Sequence, residues 1–462
     1  MKKLFFLLAT VALFAISCRK IEVDGTTTGV NTGGSGTENV ILEGRISENR
    51  TLKANYTYKL RGLVYVTNGA VLTIEPGTKI VGELNRNGGL IITRNAKISA
   101  EGTSTNPIVF SSEASTPQRG DWAGLIILGN APVNSSYNGV IGVGEIEGGV
   151  NNSDGLGLYG GTNPADNSGS LKYVRIEYAG YAFLPDKEIN GLTMGGVGNQ
   201  TIIDYVEVAF ANDDSFEWFG GTVNCSHLIS FRTLDDDFDT DNGYTGKVQF
   251  GISLRDSSVA DIGKSNGFES DNDANGSAAT PQTAAVFSNM TVLGPKANGA
   301  SVGSSLFQAG AQIRRNSSIS IFNSVIAGWP KGIFIDASKG TPTDNNITAA
   351  TPTLLLQNTI VAGCTDPVAY AASSSAPTGA TALSMLTWYG TAAFANSITA
   401  ANTTLGLTDP FSYTNPDFSP VAGSTLLSGA SFSQAKLTGL QTVNFKGAVG
   451  AGDTWYKGWT RF

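Results

Sequence analysis

The residues best suited to chemistry lie between positions 212 and 273, where the chain reads NDDSFEWFGG, LDDDFDTDNGY and SNGFESDND in three successive passes. Each pass places one carboxylate directly after a phenylalanine. The pairs are Phe216–Glu217, Phe238–Asp239 and Phe268–Glu269, which stand 22 and 30 residues apart. Spacings of this length are typical of stacked coils in a solenoid, in which equivalent residues form columns. We therefore predict a column of phenylalanines inside the fold and a column of carboxylates outside it.

Stacked carboxylates predict a bound cation. Neighbouring coils lie about 4.8 Å apart, so two adjacent carboxylates repel by about 3 kcal/mol at an effective dielectric constant of about 20. Calcium relieves such repulsion because it takes six to eight oxygen ligands. We expect a Ca²⁺ site built from Asp237, Asp239 and Asp241, with Glu217, Glu269 or Asp271 from neighbouring coils. The alternative is that these carboxylates face solvent or pair with Arg232, Lys247 and Arg255.

The same segment also raises the question of cleavage. Its paired carboxylates resemble those of inverting glycosidases: Asp213 with Asp214, and the run Asp235-Asp236-Asp237. A calcium-dependent lyase would need a basic residue beside the metal, and those within sequence reach are Lys247, Arg255 and Lys264. The single histidine, His227, lies in the apolar run CSHLISF and is expected to be a wall residue. Because nothing in the sequence fixes a base beside the carboxylates, we expect binding rather than catalysis.

Short β-branched runs punctuated by Gly, Pro and Asn must position these side chains. Examples are GAVLTIEPGTKIVG at 69–82, LIITRNAKISAEG at 90–102 and GDWAGLIILGNAPVN from residue 120. Alternating apolar residues with turn residues about every twenty positions favour strands over helices. The phrases TIEPGT and WAGL resemble those of right-handed parallel β-helix proteins of the pectate-lyase-like kind. The resemblance implies an all-β chain: a single right-handed parallel β-helix solenoid with long loop insertions and a C-terminal cap.

On this basis the chain divides into four segments: a signal peptide at 1–17, a flexible tether at 18–39, the β-helix at 40–440 and an aromatic cap at 441–462. The glycine-rich segment 134–170 is predicted to be an extended loop that projects from one face. Trp455, Trp459 and Phe462 are expected to cover the open end of the core, because an uncapped solenoid exposes apolar surface and strand edges. Asn289, Asn323 and Asn358 recur 34 and 35 residues apart and are predicted to stack at one bend, with their amides in a hydrogen-bonded ladder.

The N-terminal residues predict export and attachment to a membrane. Lys2 and Lys3 precede an apolar run that is too short to span a bilayer as a mature helix. The run ends AISC, which resembles the lipobox of bacterial lipoproteins and implies that Cys18 becomes an acylated N-terminus carrying chains such as palmitate. Ordinary signal-peptidase cleavage is the alternative, because Ala15 stands where leucine is usual. The resemblance implies an outer-membrane lipoprotein, on the periplasmic or the cell-surface face.

The net charge limits the classes of molecule that the protein can bind. The formal net charge is −8, the pI is about 4.9, and no basic cluster follows the first twenty residues. Nucleic acid is therefore excluded as a partner, because phosphate neutralisation needs a basic face.

Cys225 and Cys364 are predicted to lie about five coils, roughly 25 Å, apart. A disulfide needs Cα atoms within about 7 Å, so we predict two unpaired, buried thiols.

These features together predict an extracytoplasmic β-helix lipoprotein that is held to the membrane only by its lipid anchor. We expect it to bind a glycan or another envelope component without cleaving it and to be stabilised by calcium. Two alternatives stay open. The chain could be a polysaccharide lyase or glycoside hydrolase acting on acidic glycans, or a structural accessory subunit of an outer-membrane complex.

Overall fold

The computed structural model describes residues 39–181, 189–297 and 303–462. The signal peptide, the acylation site Cys18 and nearly all of the tether lie outside the described residues and stay predictions. Within the described ranges, no helix combines the length and the apolar character needed to cross a membrane.

Short parallel strands form the N-terminal coils. Each coil contributes strands to three faces, because β3 pairs with β5 through its first half and with β6 through its second half. The nine strands, in chain order, are β1 Asn39–Ile46, β2 Arg50–Leu52, β3 Thr57–Val66, β4 Val71–Ile74, β5 Lys79–Gly82, β6 Gly89–Ile92, β7 Lys97–Glu101, β8 Ile108–Ser112 and β9 Leu125–Leu128. Their alternating residues, such as Leu72 and Ile74, are fully buried and pack in columns along the axis.

The glycine-rich segment after β9 leaves the coils and folds back onto them. It contains two small antiparallel pairs: β10 Ser136–Tyr137 with β11 Val140–Ile141, and β12 Gly144–Glu145 with β13 Leu158–Tyr159. Ile146, Val150 and Tyr159 are buried against Leu128 and Phe219 of the coils. The predicted projecting loop is therefore a packed insertion, because its few apolar residues bury against the outside of one face.

Ten strands form the central coils. They are β14 Gly169–Glu177, β15 Leu192–Gly195, β16 Ile202–Ala209, β17 Phe216–Phe219, β18 Asn224–Phe231, β19 Phe238–Asp241, β20 Lys247–Leu254, β21 Phe268–Ser270, β22 Val286–Leu293 and β23 Ala309–Arg314. The long strands bend in their middle at Tyr173, Tyr205, His227 and Phe250, whose φ angles lie between 49° and 63°. Their rings stack, with centroids 4.2 Å apart for Tyr205 and His227. His227 is thus a wall residue of a bend, as its apolar context predicted.

The C-terminal coils continue the same pattern. Their elements are β24 Ser320–Phe322, β25 Val325–Ala327, β26 Lys331–Asp336, α1 Asn345–Thr348, β27 Leu356–Gln357, β28 Ile360–Ala362, β29 Asp366–Ala371, α2 Ala382–Tyr389 and β30 Ser397–Thr399. Asn289, Asn323 and Asn358 occupy the equivalent bend with φ of 56°, 52° and 55°, which confirms that they form one column. Their amides do not form the expected mutual ladder, since Asn289 Nδ2 donates to the Phe445 carbonyl (2.9 Å).

One main sheet of 26 parallel strands, β1–β9 and β14–β30, winds through all the coils of the described chain. This confirms the predicted all-β parallel β-helix. The predicted phenylalanine column is also present: Phe238 pairs in register with Phe216 and Phe268, and all three are fully buried. The ring centroids lie 5.8 and 5.4 Å apart along the column.

Residues 405–462, here called the C-terminal strap, lie along the side of the solenoid. The strap contains the antiparallel pair β31 Leu407–Asp409 and β32 Asp417–Pro420. Trp459 contacts the Tyr173 and Tyr205 rings of the central coils rather than the open end of the core. The last coil is instead covered by α2, whose Met385 and Tyr389 are buried in the main core. The strap aromatics thus cover apolar surface as expected, but on a lateral face.

Both cysteines of the described residues are free thiols, as predicted. Cys225 is buried and Cys364 is partly buried. Burial raises the pKa of Cys225 to about 12 and that of Cys364 to about 11, which suits small packing residues rather than nucleophiles.

Candidate metal site

The face formed by β9, β15, β17, β19, β21, β23, β26 and β29 carries the acidic residues and is called the acidic face below. Parallel register places Glu217 beside Asp239, and Asp239 beside Glu269. The same register places Phe219 beside Asp241, two residues further along each strand. The repeated aromatic-acid phrase therefore produces the predicted column of carboxylates, because the residue after each buried phenylalanine lies on the opposite side of the strand from the phenylalanine.

A second column, of aspartates and asparagines, lies just before the strands of the acidic face. Its members stand two residues before the buried position of each coil: Asn190, Asp214, Asp236 and Asn266. The backbone N–H of Asp236 donates to Asp214 Oδ1 (2.8 Å), and that of Asn266 donates to Asp236 Oδ1 in the next coil. The backbone N–H of Ala309 completes the series by donating to Asn266 Oδ1 (3.1 Å). This ladder fixes the carboxylates of Asp214 and Asp236 beside the acidic column.

Three carboxylates from the two columns converge. One oxygen from each of Asp214, Glu217 and Asp239 lies within 4.8 Å of the others. Two oxygens bound to one Ca²⁺ lie at most about 5 Å apart, since each Ca–O distance is about 2.3–2.6 Å. The separations therefore fit a shared cation. Asp214 and Glu217 are buried, whereas Asp239 is partly exposed and leaves the group accessible from the face.

Unsatisfied oxygens point to the same place. Asp239 Oδ1 and Asn190 Oδ1 are both buried atoms without a hydrogen-bond donor among the described residues. Asn190 is only 1% exposed, and its Nδ2 donates to Glu217 Oε2. Its free amide oxygen therefore sits at the edge of the carboxylate group, where it can serve as a neutral ligand. A buried acceptor with no donor is costly, and a cation removes that cost.

A second group of carboxylates adjoins the first and shares one member with it. Oxygens of Asp213, Asp214 and Asp235 also lie within 4.8 Å of one another. Asp235 Oδ1 is a further buried oxygen without a donor among the described residues. Asp214 could therefore bridge two neighbouring cation positions.

Burial and mutual repulsion raise the pKa values of the clustered carboxyl groups. Burial, followed by the nearby Asp213 carboxylate, raises the pKa of Asp214 well above its usual range. Burial and Glu147 raise the pKa of Glu217, and burial and Glu269 raise that of Asp239. Burial and Asp271 raise the pKa of Asp241 to about 8. Protons therefore compete with a metal ion for these oxygens at higher pH than is usual for carboxylates.

Asp237 departs from the predicted ligand set. It precedes β19, and its side chain turns into the core instead of joining Asp239 on the outside. Its carboxylate accepts hydrogen bonds from Ser230 Oγ (2.5 Å) and Ser253 Oγ (2.6 Å) and pairs with Arg255 (3.1 Å). Asp237 and the Arg255 side chain are fully buried. Asp237 therefore serves as a structural ion-pair partner.

Two other predicted ligands are held by arginines. Arg314 contacts Glu269 and also Asp271, with a distance of 2.8 Å from its Nε to Asp271 Oδ1. Arg315 contacts the other oxygen of Asp271. Asp241 accepts a hydrogen bond from the backbone N–H of Asn242 (2.6 Å). Of the predicted residues, Glu217 and Asp239 thus belong to the convergent group, while Asp241 lies beside it.

Asp214 and Asn190 were missing from the predicted ligand set. The signal for Asp214 was the repeated acid two residues before the phenylalanine, in DDSF and DDDF. Asn190 gave no comparable signal, because its coil has Leu192 at the buried position and lacks the phrase.

Two of the three basic residues considered for a lyase are engaged in other contacts. Arg255 is committed to Asp237, as described above. Lys247 Nζ donates to the Thr438 carbonyl on the lateral face under the strap. Arg255 also donates to the carbonyl oxygens of Leu234 and Asp235. Because both side chains are engaged in these contacts, neither is free to act as a base at the convergent carboxylates.

Comparison with known families agrees with the fold. The family model described as "Pectate-lyase like beta helix domain" matches residues 44–403. Searches of curated proteins and of solved structures gave no significant match. Because the matched region covers most of the coils and more than half of the sequence, the chain belongs to the pectate-lyase-like β-helix family.

Proposed function

We propose that this protein is a lipid-anchored, extracytoplasmic β-helix protein that binds Ca²⁺ on its acidic face and, through it, an acidic glycan of the cell envelope. The observation that carries the proposal is the convergence of Asp214, Glu217 and Asp239 within 4.8 Å. The unsatisfied oxygens of Asp239 and Asn190 in the same group support it. Carboxylate and amide oxygens are the ligands that calcium prefers.

The glycan part of the proposal follows from the exposure of the site. Asp239 and Glu269 are partly exposed along the column, so a bound cation would face the outside of the coil. Four ligands from the protein leave coordination positions open, because calcium takes six to eight oxygens. Carboxylate or hydroxyl oxygens of an acidic glycan can occupy them. Binding is favoured over cleavage because Arg255 and Lys247, two of the bases considered, are engaged elsewhere.

The location of the protein at the outer membrane remains a proposal from the sequence. The charged and apolar leader, the AISC phrase and the tether up to residue 39 support acylation of Cys18 and attachment to the outer membrane. Metabolic labelling with a palmitate analogue tests it, with Cys18→Ser as the control. Labelling that persists in Cys18→Ser would contradict the anchor.

Calorimetric titration of the folded domain with Ca²⁺ tests the cation site. We expect saturable binding that Glu217→Gln and Asp239→Asn each weaken about tenfold or more, because each removes one charged ligand. Asp409→Asn is the matched control, since Asp409 is an exposed aspartate on the strap, outside the acidic face. Equal affinity in all four proteins, or no binding by the wild type, would refute the site.

A panel of acidic glycans tests the second part. Retention of glycans in Ca²⁺ and their release by a chelator, without new sugar ends, is the expected result. Release of unsaturated or reducing ends would instead support the lyase or hydrolase alternative. Co-purification with a membrane barrel, with no glycan retained, would support the accessory subunit.

A further inference from the structure

Further along the axis of the solenoid, arginines take the place of carboxylates on the acidic face. In the column that contains Asp241 and Asp271, the next coil places Arg314. Arg315 follows directly in the chain and bends away with φ of 46°. Two guanidinium groups therefore interrupt a row of carboxylates, which Asp336 resumes in the next coil.

A polar cleft opens beside these two arginines. It has a volume of about 100 Å³, below the range of drug-sized ligand sites but large enough for one small anionic group. Its lining residues are Arg314, Arg315, Asp336, Ser338 and Lys339. Three of the five are cationic, and one is acidic.

The guanidinium groups are fixed before any ligand arrives. Arg314 uses Nε and Nη2 to contact Asp271 and Glu269, and Arg315 uses Nη1 to contact Asp271. These carboxylates lie outside the lining of the cleft, so they anchor the arginines from behind. Nearby Glu269 and Asp271 also raise the pKa of Arg314 against the opposing effect of burial, which keeps the group charged. Anchored donors lose little conformational entropy on binding.

Unused donors face a cleft whose own acid is already satisfied. Within the described residues, Arg314 Nη1, Arg315 Nε and Nη2, and Lys339 Nζ donate no hydrogen bond. Asp336 accepts hydrogen bonds on both oxygens, from Gln312 Nε2 (3.3 Å) and from the Ser338 backbone N–H (2.9 Å). Charged donors without acceptors are suited to an oxyanion, which arginine contacts through two N–H groups at once.

We propose that this cleft is an oxyanion-binding site, for a sulfate, phosphate or carboxylate group, with Arg315 and Lys339 as its principal free donors. The site does not rest on the cation proposed for the carboxylate group, because its residues differ from those that converge on Asp214. It lies two coils beyond Asp239, or about 10 Å along the axis. One ligand with an anionic group could therefore reach both sites.

Calorimetry with simple anions tests the proposal. Sodium sulfate, phosphate and glucuronate are titrated separately into the protein at low ionic strength with a chelator present, so that failure of the calcium site has no effect. We expect saturable binding of at least one anion, weakened about tenfold by Arg315→Gln and by Lys339→Gln. Preference among the three shows whether the natural group is a sulfate, a phosphate or a sugar carboxylate.

Lys79→Gln is the control, because it removes one exposed positive charge from β5, far from the cleft in sequence. Lys339 is exposed, so its substitution leaves the fold intact even if Arg315→Gln lowers stability. The absence of saturable heat for all three anions would overturn the proposal. So would equal loss of affinity in Lys79→Gln and Lys339→Gln, since that result indicates general charge attraction.

Discussion

Neighbouring aspartates of one run have opposite roles in this protein. Asp237 points into the core and completes a buried ion pair, whereas Asp239, two residues later, lies outside with an unsatisfied oxygen. The sequence predicted Asp239 because strand alternation applies within β19. It could not predict Asp237, because that residue lies in the bend before the strand, where alternation does not hold. Its partner Arg255, from the following coil, is one of the three basic residues that the alternative interpretation named, and for Asp237 that alternative is confirmed.

The two aspartates therefore predict stability changes of opposite sign. Asp237→Ala should lower the free energy of unfolding by about 3–5 kcal/mol, because it leaves the Arg255 charge buried without its carboxylate partner. Asp239→Asn should raise the melting temperature in the presence of a chelator, since it removes one charge from a repelling group. Thermal unfolding of both variants beside the wild type checks this. A stabilising Asp237→Ala or a strongly destabilising Asp239→Asn would contradict the assignment.

The raised carboxyl pKa values predict a pH dependence. A carboxyl group with a raised pKa keeps its proton in the folded state after the unfolded chain has released it. Its contribution to stability is therefore complete below about pH 4, the usual carboxyl pKa, and is lost as pH rises through the folded value. That value is about 8 for Asp241. Without metal, the melting temperature should fall between pH 5 and pH 8.

Calcium should reduce that fall, because the metal replaces the protons on the same oxygens. Melting curves at several pH values, with chelator and with Ca²⁺, separate the two effects. If the melting temperature in chelator stayed constant or rose toward pH 8, the carboxylates would not be the dominant titrating groups.

At the scale of elements, the packing position of the strap was the least predictable feature of the fold. Its aromatics indicated a covering role, but nothing in the chain order shows which coils they meet. The structure joins it to outward side chains of several coils: Arg461 N–H donates to Glu207 (2.8 Å), Ala448 N–H to Thr291 (2.9 Å) and Ser431 N–H to Asn323 (2.8 Å). The coils themselves were predictable, because each repeats one short pattern of alternating residues.

The strap should therefore contribute to the stability of the coils it crosses. Trp459 is fully buried against Tyr173 and Tyr205, so Trp459→Ala should cost about 3–5 kcal/mol through lost burial and the cavity left behind. Leu383→Ala in α2 is the control, because Leu383 is 72% exposed and should change stability by less than about 0.5 kcal/mol. Chemical denaturation measures both. Similar effects of the two substitutions would show that the strap is only loosely attached.

At the scale of the whole molecule, stability in a solenoid is approximately a sum over coils and over the contacts between neighbouring coils. The proposed cation acts on such contacts. Asn190 precedes β15, Asp214 and Glu217 belong to the coil of β17, and Asp239 belongs to the coil of β19. A single bound ion would therefore join three successive coils. Coils far from the site gain from it only indirectly, through their neighbours.

Calcium should for this reason protect the solenoid unevenly. At a Ca²⁺ concentration one hundred times Kd, binding adds about 2.7 kcal/mol to any opening that breaks the site. Amide hydrogen exchange should slow most in β15, β17 and β19 and least in β4 and β7, which lie at the N-terminal end. Mass spectrometry of exchange with Ca²⁺ and with chelator measures this, and Asp239→Asn should remove the difference. Equal slowing along the whole chain would show that the coils open as one unit, and no slowing in β17 and β19 would place the cation elsewhere.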